Sequence, residues 1–149
     1  MKLRIMLADD HAMFRGALST FLNLQPDIEV VAEVGDGLDV LRQFDASRPQ
    51  VVCMDIGMDG LDGIEATRRL LAMAPDVRVI GLSAQADLFK VAALFDAGAL
   101  GYVVKGSAAT ELLRAIRTVG QNQNYFDPAL EITALAELAP YLARPVSRC

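Results

Sequence analysis

Four apolar runs in this chain end on residues that can do chemistry. Leu3-Arg4-Ile5-Met6-Leu7-Ala8 stops at Asp9 and Asp10, and Val51-Val52-Cys53-Met54 stops at Asp55. Val77-Arg78-Val79-Ile80-Gly81-Leu82 stops at Ser83, and Leu100-Gly101-Tyr102-Val103-Val104 stops at Lys105. Carboxylates held within a few ångströms of one another raise each other's pKa values unless a cation joins them. Clustered hard oxygen ligands without His or Cys point to Mg²⁺, which keeps several waters and accepts one or two carboxylates. A carboxylate beside a metal, a hydroxyl and a lysine is suited to receiving a phosphoryl group. Asp55 would be the nucleophile, with Mg²⁺, Lys105 and Ser83 neutralising charge on the three equatorial oxygens.

Each of these residues has a plainer reading when taken alone. An Asp-Asp pair after a strand is an ordinary helix N-terminus, favoured by the dipole. Ser83 reads as another N-cap, Lys105 as a solvated charge and Asp55 as a turn residue. Only their joint position at strand ends sets them apart, so the elements that carry them decide the matter.

Those elements alternate. After the first strand, Met13, Phe14, Ala17, Leu18, Phe21 and Leu22 recur at helical spacing. Ile28 to Val34 reads as strand two, and Leu38, Leu41 and Phe44 mark a short second helix before Pro49. The run ending at Asp55 has four apolar residues in a row, the pattern of a strand buried on both faces in a parallel sheet. Leu61 to Ala74 forms helix three, and Leu88, Val91, Ala92 and Phe95 stripe helix four, with Gly98 as its C-terminal cap. Ala108, Leu112, Ala115, Ile116 and Val119 stripe helix five. Five alternating units within residues 1–120 require right-handed crossovers and a parallel sheet covered by helices on both faces. Such a sheet brings the carboxyl ends of its strands to one edge, where open α/β folds place their ligand crevice.

The composition fits one globular domain: 149 residues, 53% apolar and 22% charged, with a formal charge of −5. An acidic chain without a Lys/Arg cluster has no electrostatic footprint for binding nucleic acid by itself. Cys53 and Cys149 are too few for a disulfide framework, and Cys53 reads as a small buried hydrophobe. No apolar run approaches a membrane span, and Met1-Lys2-Leu3-Arg4 enters a strand without a signal-peptide core. The expectation is a cytoplasmic chain of bacterial style.

With these residues in hand, the chain resembles the receiver domain of bacterial two-component response regulators, above all the LuxR-type (NarL-like) subfamily. The resemblance covers roughly residues 2–120. It rests on Met6-Leu7-Ala8-Asp9-Asp10-His11, Met54-Asp55-Ile56-Gly57-Met58, Leu61-Asp62-Gly63-Ile64-Glu65-Ala66, Leu82-Ser83-Ala84 and Gly98-Ala99-Leu100-Gly101-Tyr102-Val103-Val104-Lys105. The resemblance implies a five-stranded, doubly wound flavodoxin-like or CheY-like fold, with an extra C-terminal helix. Asp55 would be the phosphoacceptor, charged by a sensor histidine kinase or a small phosphodonor. Asp10 and Asp55 would bind Mg²⁺ through side chains, Gly57 through its carbonyl and Asp9 largely through water. Ser83 and Lys105 would hold the phosphoryl oxygens, and Tyr102 would move inward as Ser83 is drawn to the phosphate. The protein would homodimerise on phosphorylation and would be no enzyme beyond its own phosphorylation and dephosphorylation.

Departures from the family pattern stand at Asp59, where Pro is usual, at Ala12 and at Gly106. Loss of a fixed φ loosens a turn, and Asp59 adds negative charge near a dianionic product. Slower phosphorylation or a shorter-lived phosphoryl group is the expectation. His11 is read as a structural residue at a helix start.

The expected division is a receiver over 1–122 and a linker or extra helix over 123–149. Asp127-Pro128 reads as a helix start, with Ile132, Leu135, Leu138 and Leu142 along one side and Pro140 interrupting. The stretch after Pro128 is shorter than the helix-turn-helix domain of LuxR-type regulators, so the expectation is no DNA binding by this chain alone. Output would pass through a DNA-binding domain absent from it, or through protein contacts of a stand-alone receiver. Two other classes compete. A dehalogenase-like phosphohydrolase would need a second Asp two residues after the nucleophile, where this chain has Gly57. A phosphate-independent pseudo-receiver would lack an acid or the lysine, and all are present.

Overall fold

A computed structural model describes residues 1–58, 60–84 and 87–130. Asp59, with its proposed effect on the loop, and the tail positions from Ile132 to Leu142 lie outside the described residues. The elements alternate as expected: β1 (Leu3–Ala8), α1 (Ala12–Asn23), β2 (Ile28–Val34), α2 (Gly37–Ser47), β3 (Val51–Asp55), α3 (Gly63–Met73), β4 (Arg78–Ser83), α4 (Leu88–Asp96), β5 (Gly101–Val104) and α5 (Ala109–Val119). All strand pairs are parallel, in the order β2-β1-β3-β4-β5-β6, the last being a short strand, Tyr125–Phe126.

The alternation of side chains along the central strands splits the interior into two cores. Ile5, Leu7, Val51, Cys53, Ile80 and Leu82 pack with Leu18 and Leu22 of α1 and Leu112, Ile116 and Val119 of α5. Met6, Ala8, Val52, Met54, Val79 and Tyr102 pack with α2, α3 and α4 through Val40, Phe44, Leu70, Leu94 and Phe95. Cys53 is fully buried, and that burial pushes its thiol pKa up to about 12.

Two apolar stripes differ from expectation in phase. Met13 and Leu38 are exposed, while Ser19 of α1 and Val40 of α2 turn inward. A step of three residues fixes a helix period but not which row faces the sheet. The sheet is also wider than the five strands expected. Asn122 takes a positive φ of 61°, and the chain then returns as β6 (Tyr125–Phe126), whose register sets Gly101 opposite Tyr125 and Tyr102 opposite Phe126. A two-residue strand is too short for any alternation to be read. Phe126 stacks on Phe95 of α4 with ring centroids 4.7 Å apart, so β6 ties α4 to the edge of the sheet.

Candidate functional site

The register carries the chemistry to one edge. Parallel pairing of β1 with β3, β3 with β4 and β4 with β5 leaves Asp9, Asp55, Ser83 and Lys105 at neighbouring strand ends. Asp62 caps α3 by accepting from the amides of Ile64 and Glu65, both at 2.9 Å. That brings α3 so close to β3 that a Cβ on Gly63 would sit 2.3 Å from the Asp55 carbonyl oxygen. Only glycine permits this approach.

Asp55 is buried, and its Oδ1 accepts from the Gly57 amide at 2.8 Å. Its Oδ2 lies 3.2 Å from Lys105 Nζ. Asp9, 2% exposed, places Oδ2 2.8 Å from the same ammonium. Among the described residues that ammonium is the polar partner of this buried oxygen, and no backbone amide reaches it. Asp10 stands at the rim. Oxygens of Asp9, Asp10 and Asp55 and one nitrogen of His11 all lie within 4.8 Å of one another.

The electrostatics follow from these contacts. Burial raises the Asp55 carboxyl pKa, with the nearby Asp9 charge adding to it, and the Gly57 amide and Lys105 only partly offset this. Burial alone would lower the Lys105 pKa, but the carboxylates of Asp9 and Asp55 outweigh it and the net shift is upward. The ammonium also lies 4.8 Å above the Phe14 ring, a cation–π contact that shields it from water. Lys105 is therefore a fixed cation among three carboxylates.

Ser83 and Tyr102 meet as a buried hydroxyl pair, Oγ to OH at 2.6 Å, and Tyr102 is wholly buried. The crevice itself, about 230 Å³, is lined by Asp55, Gly57, Ser83 and Lys105, with His11 and Lys90 at its mouth. Asp9, Asp10, Asp55, Gly57, Ser83, Tyr102 and Lys105 thus stand at one edge of the sheet.

Three contributors were not legible. His11 makes no side-chain cap to α1; its Nδ1 lies 3.0 Å from Lys105 Nζ and 3.1 and 3.3 Å from oxygens of Asp9 and Asp10. Arg15 Nη1 donates to the carbonyl of Asp9 at 2.6 Å and to that of Val34 at 3.3 Å, clamping the ends of β1 and β2. Asp127 reaches the loop that carries Lys105. Of these, His11 carried a signal in its place beside the acidic pair and Asp127 in its place before Pro128, and neither signal pointed to the partners found here.

Residues 5–117 match the response regulator receiver domain. The chain belongs to that family. It is 41% identical over 121 residues to the transcriptional regulatory protein LiaR of Bacillus subtilis (strain 168), covering 81% of this chain and 57% of the relative. It is 35% identical over 136 residues to the transcriptional regulatory protein DegU of Brevibacillus brevis, covering 91% and 58%. A two-component response regulator of the LuxR family from Aurantimonas sp. SI85-9A1 superposes with a TM-score of 0.86 at 31% identity, covering 94% of this chain and 99% of that one. The protein is a receiver of two-component signal transduction, similar to transcriptional regulators and spanning less than two thirds of the curated relatives named here. Among the described residues no helix is long and apolar enough to cross a membrane.

Proposed function

We propose that Asp55 accepts a phosphoryl group from a phosphohistidine of a sensor kinase, or from a small phosphodonor such as acetyl phosphate. The observation that carries this reading is a buried carboxylate held by the Gly57 amide and Lys105 in a crevice that Ser83 also lines. A carboxylate oxygen of Asp55 attacks phosphorus and forms an O–P bond. The P–N bond of the phosphohistidine, or the P–O bond of acetyl phosphate, breaks, and its electron pair leaves with imidazole or acetate. Lys105, already 3.2 Å from Asp55, balances the charge that arrives on the phosphoryl oxygens.

The donor set suits Mg²⁺: oxygens of the Asp9, Asp10 and Asp55 carboxylates lie within 4.8 Å of one another with one lysine to balance them, and the family resemblance adds the Gly57 carbonyl. When bound there, Mg²⁺ would supply positive charge to the transferring phosphoryl oxygens.

Ser83 and Tyr102 read the modification. In the hydroxyl pair either oxygen can donate. Once the Ser83 proton is committed to a phosphoryl oxygen, Tyr102 must donate to Ser83, so the pair acquires a fixed direction. That bias would be passed to β5 and α4, shifting a two-state face that pairs as a homodimer. In the whole protein the output would be transcription, the activity named for LiaR and DegU. Because β6, Asp127 and Leu130 pack against β5 and α4, we end the receiver unit after them rather than at residue 122.

The test is incubation with Mg²⁺ and acetyl phosphate followed by intact mass. One phosphoryl group is expected on the wild-type chain and none on Asp55→Asn. A chain that gains no mass is a phosphate-independent receiver, and a gain that survives Asp55→Asn puts the acceptor elsewhere.

A further inference from the structure

We propose that Asp127 is a positioning residue for Lys105, holding the β5–α5 turn from outside the region that matches the family. The proposal rests on the reading of Lys105 as the residue that balances the phosphoryl charge.

The turn Val104-Lys105-Gly106-Ser107 has little to hold it from within. It closes through Ser107 N to the Val104 carbonyl at 2.9 Å, and the Lys105 amide donates to the Ser83 carbonyl at 2.7 Å. Gly106 is exposed, and nothing lies within 4 Å of the place its Cβ would take. A glycine in an open turn leaves the chain its widest choice of conformation. Asp127 removes that choice from the far side. Its Oδ2 accepts from the Val104 amide at 2.8 Å and from Ser107 Oγ at 2.6 Å, one bond on each side of the Lys105-Gly106 pair. Its Oδ1 accepts from the Ala129 amide at 2.8 Å, and its own amide donates to the Tyr102 carbonyl at 2.9 Å.

A carboxylate 2% exposed is costly unless donors surround it, and three of them do. Two of the three belong to the turn that aims Lys105. The anchoring of Asp127 is itself firm, because Phe126 stacks on Phe95 and Leu130 is buried in the same core as Tyr102. The segment after α5 therefore fixes where the Lys105 ammonium stands relative to Asp9 and Asp55. A displacement of the tail would be felt at the phosphoacceptor, and a phosphoryl group that pulls Lys105 would be felt by the tail.

Two arms test this on the full chain. In the first, amide hydrogen exchange is compared between wild type and Asp127→Asn, with Ser107→Ala as the milder variant should Asp127→Asn fold poorly. Exchange at the hydrogen-bonded amides of Lys105 and Ser107 is expected to quicken by roughly tenfold while β3 and α1 are unchanged. Unchanged exchange at the turn overturns the proposal. In the second arm, the rate constant for phosphorylation at saturating acetyl phosphate is expected to fall by roughly tenfold in Asp127→Asn, with KM held within about twofold. The same change made in a Lys105→Ala background should then cost less than about twofold, since its route of action is gone. A loss that persists in full without Lys105 makes Asp127 merely structural. Should the wild-type chain take up no phosphoryl group, the reading of Asp55 falls, and the exchange arm still decides the role of Asp127.

Discussion

Arg117 and Asp27, at the amino edge of the sheet, form a fork of two bonds, Nε to Oδ2 and Nη2 to Oδ1, both 2.9 Å, and each side chain is about half exposed at 47% and 48%. At the carboxyl edge Lys105 is 12% exposed and faces two carboxylates that are almost wholly buried, with Asp10 at the rim. The first pair is balanced, one charge against one, and bathed in water. The second group is unbalanced and, apart from Asp10, largely buried. Exposed pairs contribute little because water and salt screen them, so the balanced fork can serve only to join α5 to the start of β2. An unbalanced buried group works against folding, and its presence calls for a ligand or a reaction that uses the excess negative charge. Good geometry therefore marks the structural pair, and poor charge balance marks the site.

The sharpest way to break the contrast is to remove the cation from the unbalanced side. Lys105→Ala is expected to slow phosphorylation of Asp55 by about 100-fold or more, the scale on which a preorganised charge-stabilising group acts. The rate of mass gain with Mg²⁺ and acetyl phosphate measures it. A rate within a few-fold of wild type would mean that the ammonium, despite its 3.2 Å approach to Asp55, does not act on the phosphoryl group.

A second change should make the carboxyl edge more like the amino edge. Asp9→Asn leaves Lys105 and Asp55 as a one-to-one buried pair, and the Asn oxygen can still accept from the His11 amide, as Asp9 Oδ1 does at 2.8 Å. In metal-free buffer the variant is expected to be more stable than wild type by about 1 kcal/mol, the usual scale when a functional strain is relieved. Its melting temperature should also respond less to added Mg²⁺, because a ligand stabilises only through its affinity for the folded state. A less stable variant would mean that the Lys105–Asp9 contact outweighs the repulsion between the carboxylates.

The contrast between the edges also separates what the sequence could and could not reveal. Asp9, Asp10, Asp55, Ser83 and Lys105 were legible because each ends an apolar run, and a parallel sheet sends every such end to one edge. The helices were legible in period and less so in phase: Leu38 fits steps of three through Leu41 to Phe44 while Val40 fits a step of four to Phe44, and only the seating of α2 on the sheet decides which is buried. Asp127 was legible only in its local half. Its bond to the Ala129 amide is what a cap before Pro128 predicts, whereas its bond to Val104 spans 23 residues and depends on β6, which no periodicity announces. His11 and Arg15 were hidden for a similar reason, since their type and spacing fit a helix start and a solvated face equally well. Partners far apart in the chain are invisible to any local pattern.

The smallest effect is expected at the fork. Arg117→Ala removes both bonds to Asp27, yet the exposed carboxylate is simply hydrated in their place. The melting temperature should fall by no more than about 2 °C, and by less in high salt. The pH dependence gives a finer check. The Arg117 guanidinium holds the Asp27 carboxyl below its ordinary value of 3.8. A depressed carboxyl pKa adds stability above the unfolded value and loses it as pH falls through the folded one. The difference between wild type and Arg117→Ala should therefore be constant at neutral pH and close as pH drops below 3.8 toward the lowered value. Phosphorylation of Asp55 should be untouched, since the fork shares no partner with Lys105. A rate loss in Arg117→Ala would show that the α5 position set at the amino edge reaches the turn at the other end of the helix, and the two edges would no longer be independent.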